Sequence, residues 1–190
     1  MPTEGIFCRV VKPGKLTSGS VLEYIPKTFR IKVITLSDRA YEGIYKDKSG
    51  PLIEKLSKDW FNSKGYLCET DRSVIPDEIS VLEAELEAAA SQNFDLIYTT
   101  GSTGIGPRDI APRVISKFID FEIPGIMDMI RLKYGAEKPN ALLSRSQAGV
   151  KYKTLVFSLP GSTKAVHEYL TEIHQILMHS FLMLHSIDSH

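Results

Sequence analysis

The chain has 190 residues, 43% hydrophobic and 24% charged, with Lys+Arg and Asp+Glu equal at 23 each. Neutral balance without a basic stripe argues against nucleic acid or an anionic membrane as partner. Two distant cysteines, Cys8 and Cys68, with no C-x-x-C pair define neither a zinc site nor a disulfide framework. No signal-peptide pattern and no apolar run of roughly 18 residues is seen, so the expectation is a cytoplasmic protein with one sizeable core.

Residues 1–26 differ in character from the rest of the chain. Gly5–Val11 is strand-like, Lys12-Pro13-Gly14-Lys15 turns, and Ser20–Ile25 is again extended, which predicts a β-hairpin. A lone hairpin is marginal in water and must pack on something. Pro26 closes this segment, and residues 27–190 read as the main domain. Arg30–Leu36 is its first central strand, ending in the polar Ser37-Asp38-Arg39. A glycine- and lysine-containing loop leads to Asp47. Ser49 then suits a helix cap and Pro51 the first turn, with Leu52, Ile53, Leu56 and Trp60 as the apolar stripe. Trp60 shares the period of its neighbours and is expected in the core. Tyr66–Val74 is a second strand. Pro76-Asp77-Glu78 opens the next helix, where Asp77 is placed to cap free amides.

Asp95–Thr100 forms the third strand and runs into Gly101-Ser102-Thr103-Gly104-Ile105-Gly106-Pro107-Arg108-Asp109. The order G-x-x-G-x-G is not the dinucleotide fingerprint, and no Gly-Lys-Ser/Thr comes after it, so it is not a P-loop. Strand, glycine loop, charged pair and helix can present an anion or nucleotide site; the same residues can also make a tight structural turn. Pro112, Val114, Ile115, Phe118 and Ile119 mark the next helix, and Pro124-Gly125 opens another through Met127, Ile130 and Leu132, read as core or subunit contact. Ser144–Gly149 is a polar joint. Thr154–Leu159 is a fourth buried strand, followed by Pro160-Gly161-Ser162-Thr163-Lys164 and a long helix. A lysine in a first helical turn opposes the helix dipole unless an anion is near, which favours a functional reading of Lys164. His167, His174, His179, His185 and His190 include no i, i+4 pair and are expected as surface or subunit-contact residues. The alternation of strands and helices predicts a three-layer α/β/α fold with a mostly parallel sheet.

The polar strand ends carry a family likeness. TLSDRAYEGIYKDKSGP, IPDE, TTGSTGIGPRDIAP, PGIMDMIR, LSRSQAG and LPGSTKA stand in family order over roughly residues 30–180 and together resemble the molybdopterin adenylyltransferase family, the MogA-type proteins and the related G domain of gephyrin and its plant counterpart. The N-terminal GIFCRVVKPGKLTSGS resembles the closing strands of a MOSC domain, which implies a hairpin left from a larger fusion.

The main resemblance implies a homotrimer that uses ATP and Mg²⁺ to adenylylate molybdopterin, releasing pyrophosphate. It implies a molybdate-insertion enzyme as the partner that takes the product. The acidic residues of the IPDE and RD motifs fall on Asp77 and Asp109, implied to act in the reaction and to hold Mg²⁺ or orient the reactants. Substrate and nucleotide contacts fall on Ser37, Asp38, Asp47, Ser49 and Gly50, and on Gly101, Ser102, Thr103, Gly104 and Arg108 of the glycine loop. Further contacts fall on Ser144 and Arg145, and on Pro160, Gly161, Ser162 and Lys164. The nucleophile is an already anionic phosphate, so the step needs positioning and charge neutralisation more than a general base. The chain departs from the family pattern at Ser102, where glycine is common, at Arg113, where an acidic residue is common, and at Thr163, where proline is common. A MoaB-like paralogue and a non-catalytic trimeric pterin-binding module are the competing readings.

Overall fold

The computed structural model of the chain describes residues 13–15, 17–21 and 27–185. The hairpin expected over residues 5–25, and with it the division at residue 26, falls largely outside them. Among the described residues no helix is long and apolar enough to cross a membrane.

β1 (Thr28–Leu36) buries Phe29, Ile31 and Val33 on one face and Ile34 and Leu36 on the other, as a strand covered on both sides must. It lies between β2 (Leu67–Ile75) and β3 (Leu96–Thr100) and is parallel to both, and β3 pairs in parallel with β6 (Thr154–Leu159). β5 (Ala148–Lys151) and β4 (Phe121–Glu122) add antiparallel strands, giving the order β2-β1-β3-β6-β5-β4. The expected mostly parallel sheet is therefore present. β4 and β5 escape the sequence reading because their pairing is tertiary. Gly149 in β5 lies so close to β4 that a Cβ there would stand 2.7 Å from the Phe121 carbonyl oxygen.

Helices cover both faces. α2 (Ser49–Ser63), α5 (Pro124–Gly135) and α6 (Thr163–Leu184) enclose one core with Ile53, Phe61, Met127, Ile130, Val166, Leu170 and Leu177. α3 (Ile79–Ser91) and α4 (Ala111–Phe118) enclose the other with Leu82, Leu86, Val114 and Ile115. Each fully buried side chain of this kind is worth roughly 1.5–3 kcal/mol. Trp60 packs at the edge of the first core, edge-on to Phe61 and stacked on His174, each at 4.9 Å between centroids. His174, expected as a surface or subunit-contact residue, is half-buried here and packs on Trp60. Burial pulls its pKa down to about 4.

Two helix starts differ from expectation. Ser49 is the first residue of α2 rather than its cap. The Asp47 carboxylate takes that part, accepting from the Ser49 and Gly50 amides at 3.0 and 3.1 Å. α3 begins at Ile79 with no side-chain cap, and Asp77 turns its carboxylate elsewhere. A single helical turn, α1 (Asp38–Tyr41), follows β1, with Ser37 accepting from the Ala40 amide at 3.2 Å.

The register decides where the loops go. Leu36 pairs with Ile75, Thr35 with Thr100, and Thr100 with Leu159. Four parallel strands therefore end in one row and release Pro76-Asp77, Ser37-Asp38, Gly101 and Pro160 side by side. The chain leaves β1 toward β2 but approaches β3 on the opposite side, so a crevice opens between the β1 and β3 loops, where open α/β sheets bind ligands.

Candidate active site

The glycine loop after β3 is folded around its own aspartate. Gly101 has φ +95°, and a Cβ there would stand 2.4 Å from the Leu36 carbonyl oxygen, so only glycine fits. Cβ atoms at Gly104 and Gly106 would stand 2.8 and 2.9 Å from Asp109 Oδ2, and the Gly106 amide donates to that oxygen at 2.7 Å. Ser102, directly after Gly101, sits at φ +57°. Its hydroxyl donates to the Arg108 carbonyl at 3.0 Å and accepts from the Ile110 amide at 2.9 Å, tying the two ends of the loop together.

Asp77 and Asp38 join the neighbouring loops reciprocally. The Asp77 amide donates to Asp38 Oδ1 at 2.9 Å, and the Asp38 amide donates to Asp77 Oδ2 at 3.3 Å. Arg108 crosses the crevice to pair with the other Asp38 oxygen. Burial raises the Asp77 carboxyl above the usual aspartate range, the nearby Ser102 hydroxyl opposes the rise, and the Asp109 charge adds to it. Three carboxylates, loop amides and an exposed guanidinium thus share one crevice. A carboxyl perturbed by burial and by charge partners in a cleft marks a candidate functional site.

Two cavities flank the glycine loop. One, of about 360 Å³, has apolar walls from Ile130, Tyr134, Leu143 and Tyr169, with Thr103, Gly104, Ser162 and Lys164 among its lining. Lys138 meets Lys164 there, and this contact lowers the Lys164 pKa from the ordinary lysine value. Lys138 in turn holds Glu168 at 2.8 Å. The other cavity, of about 710 Å³, is lined by Asp109, Ser144 and Arg145 together with Arg113 and Arg131. Ser144 borders both, held by the Tyr169 hydroxyl at 3.1 Å, and the Arg145 amide donates to the Thr103 carbonyl at 2.8 Å.

Residues 32–179 match the family described as a probable molybdopterin binding domain. The chain belongs to this family. Gephyrin of Dictyostelium discoideum is 35% identical over 162 residues, covering 82% of this chain but only 22% of gephyrin itself. The protein named molybdopterin adenylyltransferase of Helicobacter pylori is 35% identical over 149 residues, 77% of this chain and 82% of that one. Among solved structures, the molybdopterin biosynthesis enzyme MoaB of Thermus thermophilus superposes with a TM-score of 0.74 at 31% identity, covering 83% of this chain and 97% of that one.

Within this molybdopterin-binding domain, most residues singled out from the sequence converge at the row of strand ends. Asp38, Asp77, Ser102, Arg108 and Asp109 meet at the crevice. Pro160 and Ser162 open onto the apolar cavity, and Gly161 packs against Gly101, where its Cβ would stand 3.3 Å from the Gly101 Cα. The group Asp47, Ser49 and Gly50 is instead consumed in starting α2. Asp47 also accepts from Thr35 Oγ1 at 2.9 Å and pairs with Arg72 at 3.5 Å. Arg131, Lys138, Tyr134 and Tyr169 were not legible as site residues, since helical spacing marks them only as positions along α5, α6 and their connection. Among the described residues no group of three or more His, Cys, Asp or Glu side chains could hold a metal ion. Asp77 and Asp109 lie near enough for their charges to act on each other, and Mg²⁺ is commonly held by one or two carboxylates plus substrate phosphates.

Proposed function

We propose that this domain is a nucleotidyltransferase of molybdenum cofactor biosynthesis that transfers the adenylyl group of ATP to the phosphate of molybdopterin. Family membership and the adenylyltransferase relative, similar over most of both chains, support the reading. The observation that carries it is the half-buried Asp77 carboxyl, on which the Asp109 charge acts, beside a glycine loop that two cavities flank. An oxygen of the pterin's phosphate bonds to the α-phosphorus, the bond to the bridging oxygen breaks, and pyrophosphate leaves with that electron pair. Because the nucleophile is already anionic, the protein's work is to align two polyanions and offset their charge. Asp77 and Asp109 hold Mg²⁺ or orient the reactants, and Arg108, Lys164 and the loop amides supply positive potential. Bound Mg²⁺ would neutralise phosphate charge as it develops. The apolar walls of Tyr134 and Tyr169 suit a flat heterocycle.

Mg-ATP and molybdopterin incubated with the protein should give adenylylated pterin by mass spectrometry. Asp77→Asn and Asp109→Asn should each lower the rate about 100-fold or more, the scale of losing one preorganised charge-stabilising group. If both variants keep the wild-type rate, the assignment is wrong. Misfolding is separable for Asp77→Asn. The unfolded carboxyl ionises near 3.8 and the folded one above it, so wild-type stability falls as pH rises through that window. Asn lacks this penalty, so the variant should melt no lower than wild type at neutral pH. The likeness to MoaB favours a second reading, a MoaB-like paralogue with the same fold and other chemistry. Saturable pterin binding without adenylylated product selects it.

A further inference from the structure

Arginines from separate elements converge on the 710 Å³ cavity beside the glycine loop: Arg113 from α4, Arg131 from α5 and Arg145 from the segment before β5. Arg131 is engaged, donating to Asp128 at 2.6 Å and to the Ser146 carbonyl at 2.9 Å. Arg113 and Arg145 are different. Among the described residues neither side chain forms an ion pair or hydrogen bond, although Asp109 and Glu122 line the same cavity. Their backbones are fixed, Arg113 by its amide bond to the Ile110 carbonyl at 3.1 Å and Arg145 by its bond to Thr103 at 2.8 Å. Two guanidiniums anchored at one cavity without carboxylate partners repel each other, and phosphate oxygens are the ligands their planar forks match.

We propose that Arg113, together with Arg145, forms a phosphate subsite apart from the glycine-loop amides, which takes the terminal diphosphate of the nucleotide and holds it as it departs. This rests on the nucleotidyl-transfer reading above. A phosphate monoester can be satisfied by one fork, whereas two forks match two phosphoryl groups. When the α-phosphorus–oxygen bond breaks, its electron pair leaves on pyrophosphate, and cations at that spot act where the charge develops. The shared chemistry is a phosphoryl oxyanion, and its two sources, the nucleotide's diphosphate and the pterin's monoester, are separable by experiment.

Calorimetric titrations of the full chain with inorganic pyrophosphate, with phenyl phosphate as a monoester, and with AMP test this. For Arg113→Ala, pyrophosphate affinity should fall about tenfold or more, the scale of one lost charge-assisted contact, while AMP affinity is unchanged. Arg113→Lys should restore part of the loss, and Arg113→Ala with Arg145→Ala should lose more. Arg113 is exposed on α4, so thermal melts of these variants should match wild type. A loss confined to phenyl phosphate overturns the diphosphate assignment. Pyrophosphate that does not bind wild type at millimolar concentration, or binds the double variant equally well, overturns the subsite. Pyrophosphate binding that depends on Arg113 in a protein making no adenylylated pterin sinks the transfer reading and leaves the subsite standing. A working transferase indifferent to Arg113 does the reverse.

Discussion

Ser102 occupies a left-handed backbone position that glycine adopts without strain, and a side chain there costs roughly 1–2 kcal/mol. Its hydroxyl offsets this by bonding both Arg108 and Ile110 across the loop. The departure from glycine noted in the sequence is thus a different solution to the same turn, stiffening the chain just before Asp109. Ser102→Ala keeps the strain and loses both bonds, so it should lower stability by about 1–3 kcal/mol. Ser102→Gly relieves the strain as it loses them and should fall closer to wild type. Denaturant melts of the two variants check the order; if alanine proves no worse than glycine, the hydroxyl is not what holds the loop. The same loop shows what a motif leaves open. Its glycines were legible as a close approach to some anion. The anion they approach in this structure is the Asp109 carboxylate, which no spacing rule identifies.

At the scale of elements, α2 and α6 meet through Trp60 and His174. The imidazole Nε2 is buried without a hydrogen-bond partner among the described residues, and burial keeps the ring neutral down to about pH 4. An unfolded histidine ionises near 6.5, so between about 6.5 and 4 the unfolded state binds a proton that the folded state refuses. Stability should therefore decline as pH falls through this window and level off below it. His174→Phe should flatten the decline, read as melting temperature against pH; an unchanged slope would mean another group titrates there. Strand and helix existence was largely legible, because Ile31-Lys32-Val33-Ile34 and Thr154–Leu159 are mostly apolar, β-branched-rich runs between turn signals. Boundaries and caps were less so. Asp47 lies two residues ahead of α2 and caps it through a loop conformation that local sequence does not define.

At the scale of the molecule, α5 and the 3-10 turn Pro139–Leu143 present Met129, Leu132, Leu142 and Leu143 to the outside, each 43–69% exposed. A contiguous patch of exposed apolar side chains marks contact with another chain. The homotrimer that the family resemblance implies would bury them at its subunit contact, beside the cavity that Leu143 also lines. Sedimentation equilibrium should give three times the 21.2 kDa of one chain. Leu132→Asp should shift the mass toward that of a single chain. A wild-type protein that sediments as a monomer at micromolar concentration refutes the assignment.

The sequence by itself determined the fold class, the order of the main strands and helices, and the likeness from which the chemistry was first inferred. Periodicity and turn residues are local, and local physics is enough to read them. It also singled out Asp77 and Asp109, through motifs whose spacing carries over from similar chains. Tertiary structure decided what those residues touch. Parallel register set four strand ends in one row, so that Asp77 and Asp38, 39 residues apart, exchange hydrogen bonds. The fold also gathered Arg113, Arg131 and Arg145 at one cavity from elements that share no sequence pattern. Which charges meet depends on how the layers pack, and that information is in no single stretch of the chain.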